Sequence, residues 1–156
     1  MDQIMRTLHH LGAILFVGNL IISFHWKVRA DRSRDRRVIA EAHRSVGATD
    51  SMFAATGAVL ILLTGLHQSA RYGVHLLFTS LWLGGGSLLF VLAVMVWLIG
   101  MQRSLRRQRA LVAAAAPSDA VPDAYWPAAR RWYVMGIVAM ALPIVSLILM
   151  VFKPHV

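Results

Sequence analysis

Four long apolar stretches, separated by segments rich in arginine, limit what this chain can fold into. A helix needs about 20 apolar residues to cross the hydrocarbon core of a bilayer. Each stretch meets this length, and we place the spans at residues 4–26, 46–66, 74–101 and 132–152. A hydrophobic fraction of 58% argues against a soluble enzyme. The sequence predicts an all-α polytopic membrane protein, one domain over residues 1–156 folded as an antiparallel bundle of four transmembrane helices.

The net charge of +9 is concentrated between the spans. Seven Lys and Arg residues lie in the predicted loop 27–45, and six lie in the predicted loop 102–131. Because short basic loops are retained on the cytoplasmic side, they predict a bacterial inner-membrane protein with both termini in the periplasm. This topology accounts for the charge. We therefore expect anionic lipids at the basic loops and no nucleic-acid partner.

Histidines are the most informative polar residues. The chain has seven His and no Cys, which excludes thiolate metal sites and covalent c-type haem. In the predicted topology five of the seven approach the periplasmic face: His9, His10, His67, His75 and His155. Taken singly, each of the last three is an ordinary interfacial residue. Because ionisable groups near hydrocarbon cost free energy, the five together form the candidate site.

Helical periodicity separates the two adjacent histidines of the first span. His10 shares a face with Ala13, Val17 and Ile21, and we expect this face to turn toward the bundle interior. His9 is offset by about 100° and would face lipid headgroups. The periodicity therefore favours His10 as the ligand.

Without thiolates, imidazoles from separate helices suit two kinds of site. The first is haem b with axial histidines, in which His10 is one ligand and His67 or His75 is the second. The second is a copper ion bound by His10, His67 and His75. The residues alone leave both open.

Two further features suit a haem. Arg71 and Lys153 lie at the same predicted face as the histidines, where they would neutralise the propionates. Three consecutive glycines at 84–86 expose backbone in the third span, which a macrocycle or a neighbouring helix must cover. Helix packing is the simpler interpretation of these glycines.

A few polar residues lie inside the spans. Asp50 is either a carboxylate stabilised near a helix N-terminus, or a group inside the bundle that accepts a proton or forms a hydrogen bond between helices. We expect Asn19 and Thr64 to form hydrogen bonds between helices. Pro143 predicts a kink, with Ser146 satisfying the freed backbone.

Aromatic and histidine residues near the basic loops fit a membrane boundary. Trp26, Trp132 and Tyr133 are expected at the cytoplasmic interface, where aromatic side chains are enriched. We expect His25 and His43 to be interfacial as well, with no further role.

The whole chain resembles a family of predicted bacterial integral membrane proteins. The resemblance rests on "LHHLGAILFVGN" in the first span, "DSMFAATG" in the second, "LWLGGG" in the third, and "RRWYVMG" with the ending "MVFKP" in the fourth. That family is distantly similar to HemJ, the membrane protoporphyrinogen oxidase, and to the CopD copper-resistance membrane domain. The resemblance implies a haem b ligand at His10, with His9 as the alternative register, and Lys153 and Pro154 match the HemJ-like ending.

Three functions follow as hypotheses. The first is a haem-b-binding redox protein near the periplasmic face. It would either transfer electrons or have an oxidase activity of the HemJ kind. The second is a copper-handling or transport protein of the CopD type. The third is an accessory subunit that packs on a larger membrane complex through its glycine faces. Small residues in the spans also make a homodimer plausible.

Overall fold

The computed structural model describes residues 2–115 and 120–154, and this part of the chain is helical with no strand. Four of its helices are long and apolar enough to cross a membrane. The all-α four-span fold predicted from the sequence is therefore confirmed. In chain order the helices are α1 (Asp2–Ser33), α2 (36–72), the short α3 (Leu76–Thr79), α4 (Leu81–Ala114) and α5 (Tyr125–Phe152).

The long helices alternate in direction, so the bundle has two ends. We call the end with the α1–α2 connection and the start of α5 the basic end. The other, where α1 begins and α2 ends, is the histidine end. Large apolar side chains stay exposed along all four long helices, as a lipid-facing surface requires; examples are Ile14, Leu63, Leu98 and Ile148.

Helix replaces most of the predicted loop 27–45. α1 runs on to Ser33, and only Arg34 and Asp35 connect it to α2. Asp35 caps α2, because its carboxylate accepts a hydrogen bond from the backbone N–H of Arg37 at 2.7 Å. Hydropathy alone missed this continuation, since helices with charged outer faces have low mean hydropathy.

The predicted loop 102–131 is also largely helical, since α4 continues to Ala114 and α5 begins at Tyr125. The main hydrophobic core of the bundle includes Phe16, Phe90 and Trp132. A second, smaller core holds the extensions together at the basic end. It joins all four long helices through buried side chains of Ala30, Ile39, Val112, Tyr125 and Ala129. The basic end is therefore a folded part of the bundle.

Glycines set the closest helix contact, between α1 and α2. A Cβ added at Gly57 would lie 2.7 Å from the carbonyl oxygen of Gly12 and 2.6 Å from the backbone nitrogen of Phe16. Such distances leave no room for a side chain. These two glycines therefore allow the backbones of α1 and α2 to pack directly against each other.

Two long helices contain π-helical segments. In α2 the segment is Asp50–Ala54, and in α4 the segments are Leu81–Gly85 and Val96–Met101. π-helical turns are rare and occur frequently at functional sites. Gly73, with φ of +104°, ends α2 in a conformation that favours glycine.

Helix α5 covers the glycine-rich start of α4. The Ser146 hydroxyl donates a hydrogen bond to the carbonyl oxygen of Gly86 at 2.7 Å. We predicted that Ser146 would satisfy backbone freed by Pro143, which does lie inside α5. That assignment is wrong, because the hydroxyl bonds to α4. This glycine is therefore covered by a neighbouring helix, as the helix-packing interpretation of the three glycines predicted.

Candidate functional site

At the histidine end, His9 points into the contact between α1 and α2. Its Nδ1 lies 2.9 Å from the hydroxyl oxygen of Thr64, and that hydroxyl donates its own hydrogen to the carbonyl oxygen of Leu60 at 2.5 Å. Because the one hydrogen of the hydroxyl is engaged with Leu60, we assign to His9 the Nδ1–H tautomer, in which Thr64 accepts from Nδ1–H and Nε2 keeps a lone pair for a ligand. Gly65 leaves space beside the ring.

His10 is exposed on the outside of the bundle. The prediction that its face turns inward is wrong, and His9 takes the interior position. The cause is the contact of Gly12 with Gly57, which fixes the rotation of α1 against α2. Thr64 forms the predicted hydrogen bond between helices, which is confirmed.

The other predicted ligands have different surroundings. His67 is half-buried on α2, and its Nε2 is buried without a hydrogen-bond partner among the described residues. His75 is exposed, and its ring lies against Gly73. His155 lies outside the described residues. Over residues 2–115 and 120–154, no group of three or more His, Asp and Glu is placed to hold a metal ion.

The predicted propionate cations are both exposed at the histidine end. Arg71 lies in the last turn of α2. Lys153 follows α5, and its Nζ lies 5.2 Å from the ring centroid of Trp82 in α4. Whether these groups bind a haem stays a prediction.

Sequence reasoning missed a buried ion pair at the basic end. Lys27 is 0% exposed and Asp31 is 5% exposed, one turn apart on α1, with Nζ 2.6 Å from Oδ2. Two tyrosines of α5 complete the cluster. The Tyr125 hydroxyl donates to Asp31 Oδ1 at 2.5 Å, and the Tyr133 hydroxyl donates to Asp31 Oδ2.

The buried ammonium group of Lys27 has several interaction partners. Its Nζ also donates to the Tyr125 hydroxyl at 2.7 Å. The same ammonium lies 5.1–5.7 Å from the ring centroids of Tyr125, Trp132 and Tyr133, within cation–π range. Trp132 is only 1% exposed, so its predicted place at the membrane interface is wrong. Here the ring contacts the buried ammonium instead.

His43 extends this cluster toward α2. It is 2% exposed, and its Nε2 lies 3.2 Å from the Tyr125 hydroxyl. The prediction that it is an interfacial residue is therefore wrong. His43 also lines an open groove of about 440 Å³, whose other lining residues are Ala40, Arg44, Gly47, Ala48 and Arg109. Arg109 reaches across from α4 and donates to the His43 carbonyl oxygen.

Asp50 is the third buried polar centre, and it joins α1, α2 and α4. Asn19 Nδ2 donates to its Oδ1 at 2.7 Å. Gln102 Nε2 at 2.6 Å and Trp97 Nε1 at 3.3 Å donate to its Oδ2. Of the two interpretations of Asp50, the structure supports the hydrogen-bonding group inside the bundle. The predicted role of Asn19 is confirmed.

One sequence signal would have revealed the missed cluster. Buried polar residues recur every four positions along α1, where they occupy one helix face: Asn19, Ser23, Lys27 and Asp31. Lys27 was counted among the basic residues of the predicted loop 27–45, which also contains Asp31.

The fold and its three buried polar centres define a helical-bundle integral membrane protein. The chain belongs to the family described as "Predicted integral membrane protein (DUF2269)", whose model matches residues 3–154. No curated protein and no solved structure matches the chain. The similarity to HemJ and CopD stays a prediction from the sequence.

Proposed function

We propose that this protein binds haem b at the histidine end and acts as a redox protein of the bacterial inner membrane. The observation that carries the proposal is the contact of His9 Nδ1 with the Thr64 hydroxyl. A histidine that ligates a metal usually donates its other ring N–H to a second group, which fixes the ring and raises its basicity. Thr64 accepts that hydrogen bond here, at 2.9 Å, and leaves Nε2 for an axial bond.

The surrounding residues fit the chemistry of such a group. His67 has a buried Nε2 without a partner among the described residues, which makes it the better candidate for a second axial ligand than the exposed His75. Arg71 and Lys153 supply positive charge at the same end for propionates. Haem b, when bound, supplies one-electron redox chemistry. The protein tunes its potential through ligands, burial and nearby charge.

The orientation of the bundle in the membrane is part of the same proposal. Both basic segments lie at the basic end, so the positive-inside rule puts that end in the cytoplasm and the histidine end at the periplasmic side. Electron transfer would then take place near the periplasmic face. Anionic lipids would contact the exposed arginines of the basic end.

An optical spectrum tests the proposal. The protein is expressed with haem supply, purified in detergent, and measured oxidised and dithionite-reduced. We expect a Soret band that His9→Ala abolishes and His10→Ala retains. These two variants are matched, because they remove the same side chain from adjacent positions that differ in burial. Loss of the band in His10→Ala alone would refute the assignment of His9.

Copper handling is the second candidate, favoured by the buried Nε2 of His67, which has no hydrogen-bond partner among the described residues. Two imidazoles are sufficient to bind Cu(I) without the apolar slot that a macrocycle needs. Metal analysis of the same preparation separates the two. Copper bound without a Soret band, and lost in His67→Ala, would assign the imidazoles to copper. Neither copper nor haem in wild-type protein would refute both functions.

A further inference from the structure

We propose that Asp50 is a proton-binding site inside the bundle, reached from the basic end. This site is separate from the histidine end, and it requires neither haem nor copper. Three observations support it: the hydrogen bonds of the carboxylate, an unused oxygen on Asn19, and a line of buried polar side chains.

The carboxylate of Asp50 has room for one proton. A carboxylate has about four acceptor positions on its two oxygens. Within the described part of the chain, Oδ2 accepts from Gln102 and Trp97, whereas Oδ1 accepts from Asn19 alone. All three donors are neutral N–H groups, so they orient the carboxylate without neutralising its charge. One acceptor position, on Oδ1, is therefore open.

Asn19 is suited to serve both states of this carboxylate. The residue is 5% exposed, and its Oδ1 is buried without a partner among residues 2–115 and 120–154. Leaving a buried acceptor unpaired costs free energy, so its presence calls for an explanation. Rotation of the amide by 180° would turn this oxygen toward Asp50. The oxygen would then accept a hydrogen bond from a protonated Oδ1, at the position where Nδ2 now donates.

Among the described residues, no charged group forms a hydrogen bond with Asp50. Arg109 of α4 acts on the carboxylate only from a distance, where its positive charge favours the ionised form. On α1, Lys27 and Asp31 form their own ion pair two turns or more away, and His43 lies seven positions earlier on α2. A carboxylate within a membrane span that has no cation bonded to it is costly, and a bound proton removes that cost. Sodium would need several oxygen ligands, whereas a proton needs only the Asn19 oxygen.

Polar side chains connect this site to the basic end. Asn19, Ser23, Lys27 and Asp31 are all 0–5% exposed and lie four residues apart on one face of α1. Four residues correspond to about 6 Å of helix rise, a gap that one bridging water can span. The line ends at the cluster of Lys27, Tyr125 and His43, where His43 lines the open groove.

The local backbone of the site is also unusual. Asp50 begins the π-helical segment of α2, and Trp97 lies in the second π-helical segment of α4. Two of the three π-helical segments thus supply side chains to one hydrogen-bonded centre. Because such turns occur frequently at functional sites, this convergence favours a role beyond packing.

Labelling with dicyclohexylcarbodiimide tests the proposal. This apolar reagent enters membranes and adds to a carboxyl group that carries a proton, so its rate reports the protonated fraction. The purified protein in lipid vesicles is labelled across a pH series, and mass spectrometry locates the label. We expect Asp50 to be modified, with a rate that falls as the pH rises. Asp31 is the internal control, since it is equally buried at 5% exposure but paired with Lys27, and it stays unmodified.

Two glutamine variants sharpen the test. Gln102→Leu removes a donor that favours the ionised form of Asp50, so labelling at a fixed high pH should rise about fivefold. Gln108→Leu is the matched control on the same helix, because Gln108 bonds to Ser104 and Ala128 instead. It should leave the labelling unchanged.

Three results would overturn the proposal. They are an unmodified Asp50 at every pH, a labelling rate independent of pH, and protection by sodium at constant pH and ionic strength.

The side from which protons reach Asp50 is tested in vesicles with a different pH on each side. Labelling should follow the pH of the compartment that faces the basic end. Labelling that follows the opposite compartment would contradict the path along α1.

Discussion

Replacing Lys27 by methionine should destabilise the protein severely. Methionine fills much of the space but leaves Asp31 buried at 5% exposure without its ammonium, which lies 2.6 Å away in the native protein. Removing one partner of a buried ion pair costs about 3–5 kcal/mol. The Tyr125 and Tyr133 hydroxyls would still donate to Asp31 and keep the loss toward the lower value. For a chain of 156 residues this corresponds to a fall in Tm of about 6–20 °C.

Thermal unfolding in detergent, followed by the fluorescence of the five tryptophans, measures this loss. A second variant, Lys27→Met with Asp31→Asn, removes both charges while Tyr125 can still donate to the new amide oxygen. We expect it to recover at least half of the stability lost by Lys27→Met alone. Such recovery would attribute the loss to an orphaned charge and exclude poor packing of methionine as its main cause.

The matched control is the exposed pair Arg44 and Glu41, whose side chains are 74% and 64% exposed. Arg44→Met should cost no more than about 0.5 kcal/mol, because water screens this pair. If Lys27→Met cost as little as Arg44→Met, Lys27 would not be a buried structural cation, and the reasoning would be refuted. An equal loss in the single and double variants would refute the electrostatic explanation.

Two further predictions concern helix packing. Gly57→Ala should destabilise the bundle by about 1–3 kcal/mol, since the new Cβ would lie 2.7 Å from the Gly12 carbonyl oxygen. Gly18→Ala, with no neighbouring atom within 4 Å of its Cβ, should be neutral or slightly stabilising in the same melting assay, and equal losses would contradict this view of the contact. Ser146→Ala should cost about 0.6 kcal/mol through loss of the bond to Gly86, and an unchanged Tm would mean that water or another donor replaces it.

Hydropathy was sufficient to predict the number of long helices, because crossing a bilayer imposes a minimum apolar length. The polarity of Asn19 and Thr64 within the spans was sufficient to predict their hydrogen bonds between helices. In lipid a polar side chain must find a partner, and neighbouring helices are the nearest source.

The rotation of α1 could not be predicted from its own sequence. His9 and His10 differ by about 100° around the helix, and apolar residues occur on both faces because lipid is as apolar as the core. The deciding contact is Gly12 against Gly57, which lies 45 positions away along the chain. Asp31 and Tyr125 are likewise separated by 94 positions. Such pairings are set by tertiary packing.

The length of α1 has a consequence for how the basic end meets its surroundings. At 1.5 Å per residue its 32 residues measure about 48 Å, whereas the hydrocarbon layer is about 30 Å thick. α1 is therefore longer than a membrane span requires, and the small core of the basic end holds its last turns against the other helices. Exposed arginines such as Arg29, Arg37 and Arg106 lie on these helices, so the distances between their backbone positions are fixed. An acidic surface that approaches from this side would therefore meet positive charges at fixed positions, as it would not if the same arginines lay on flexible loops.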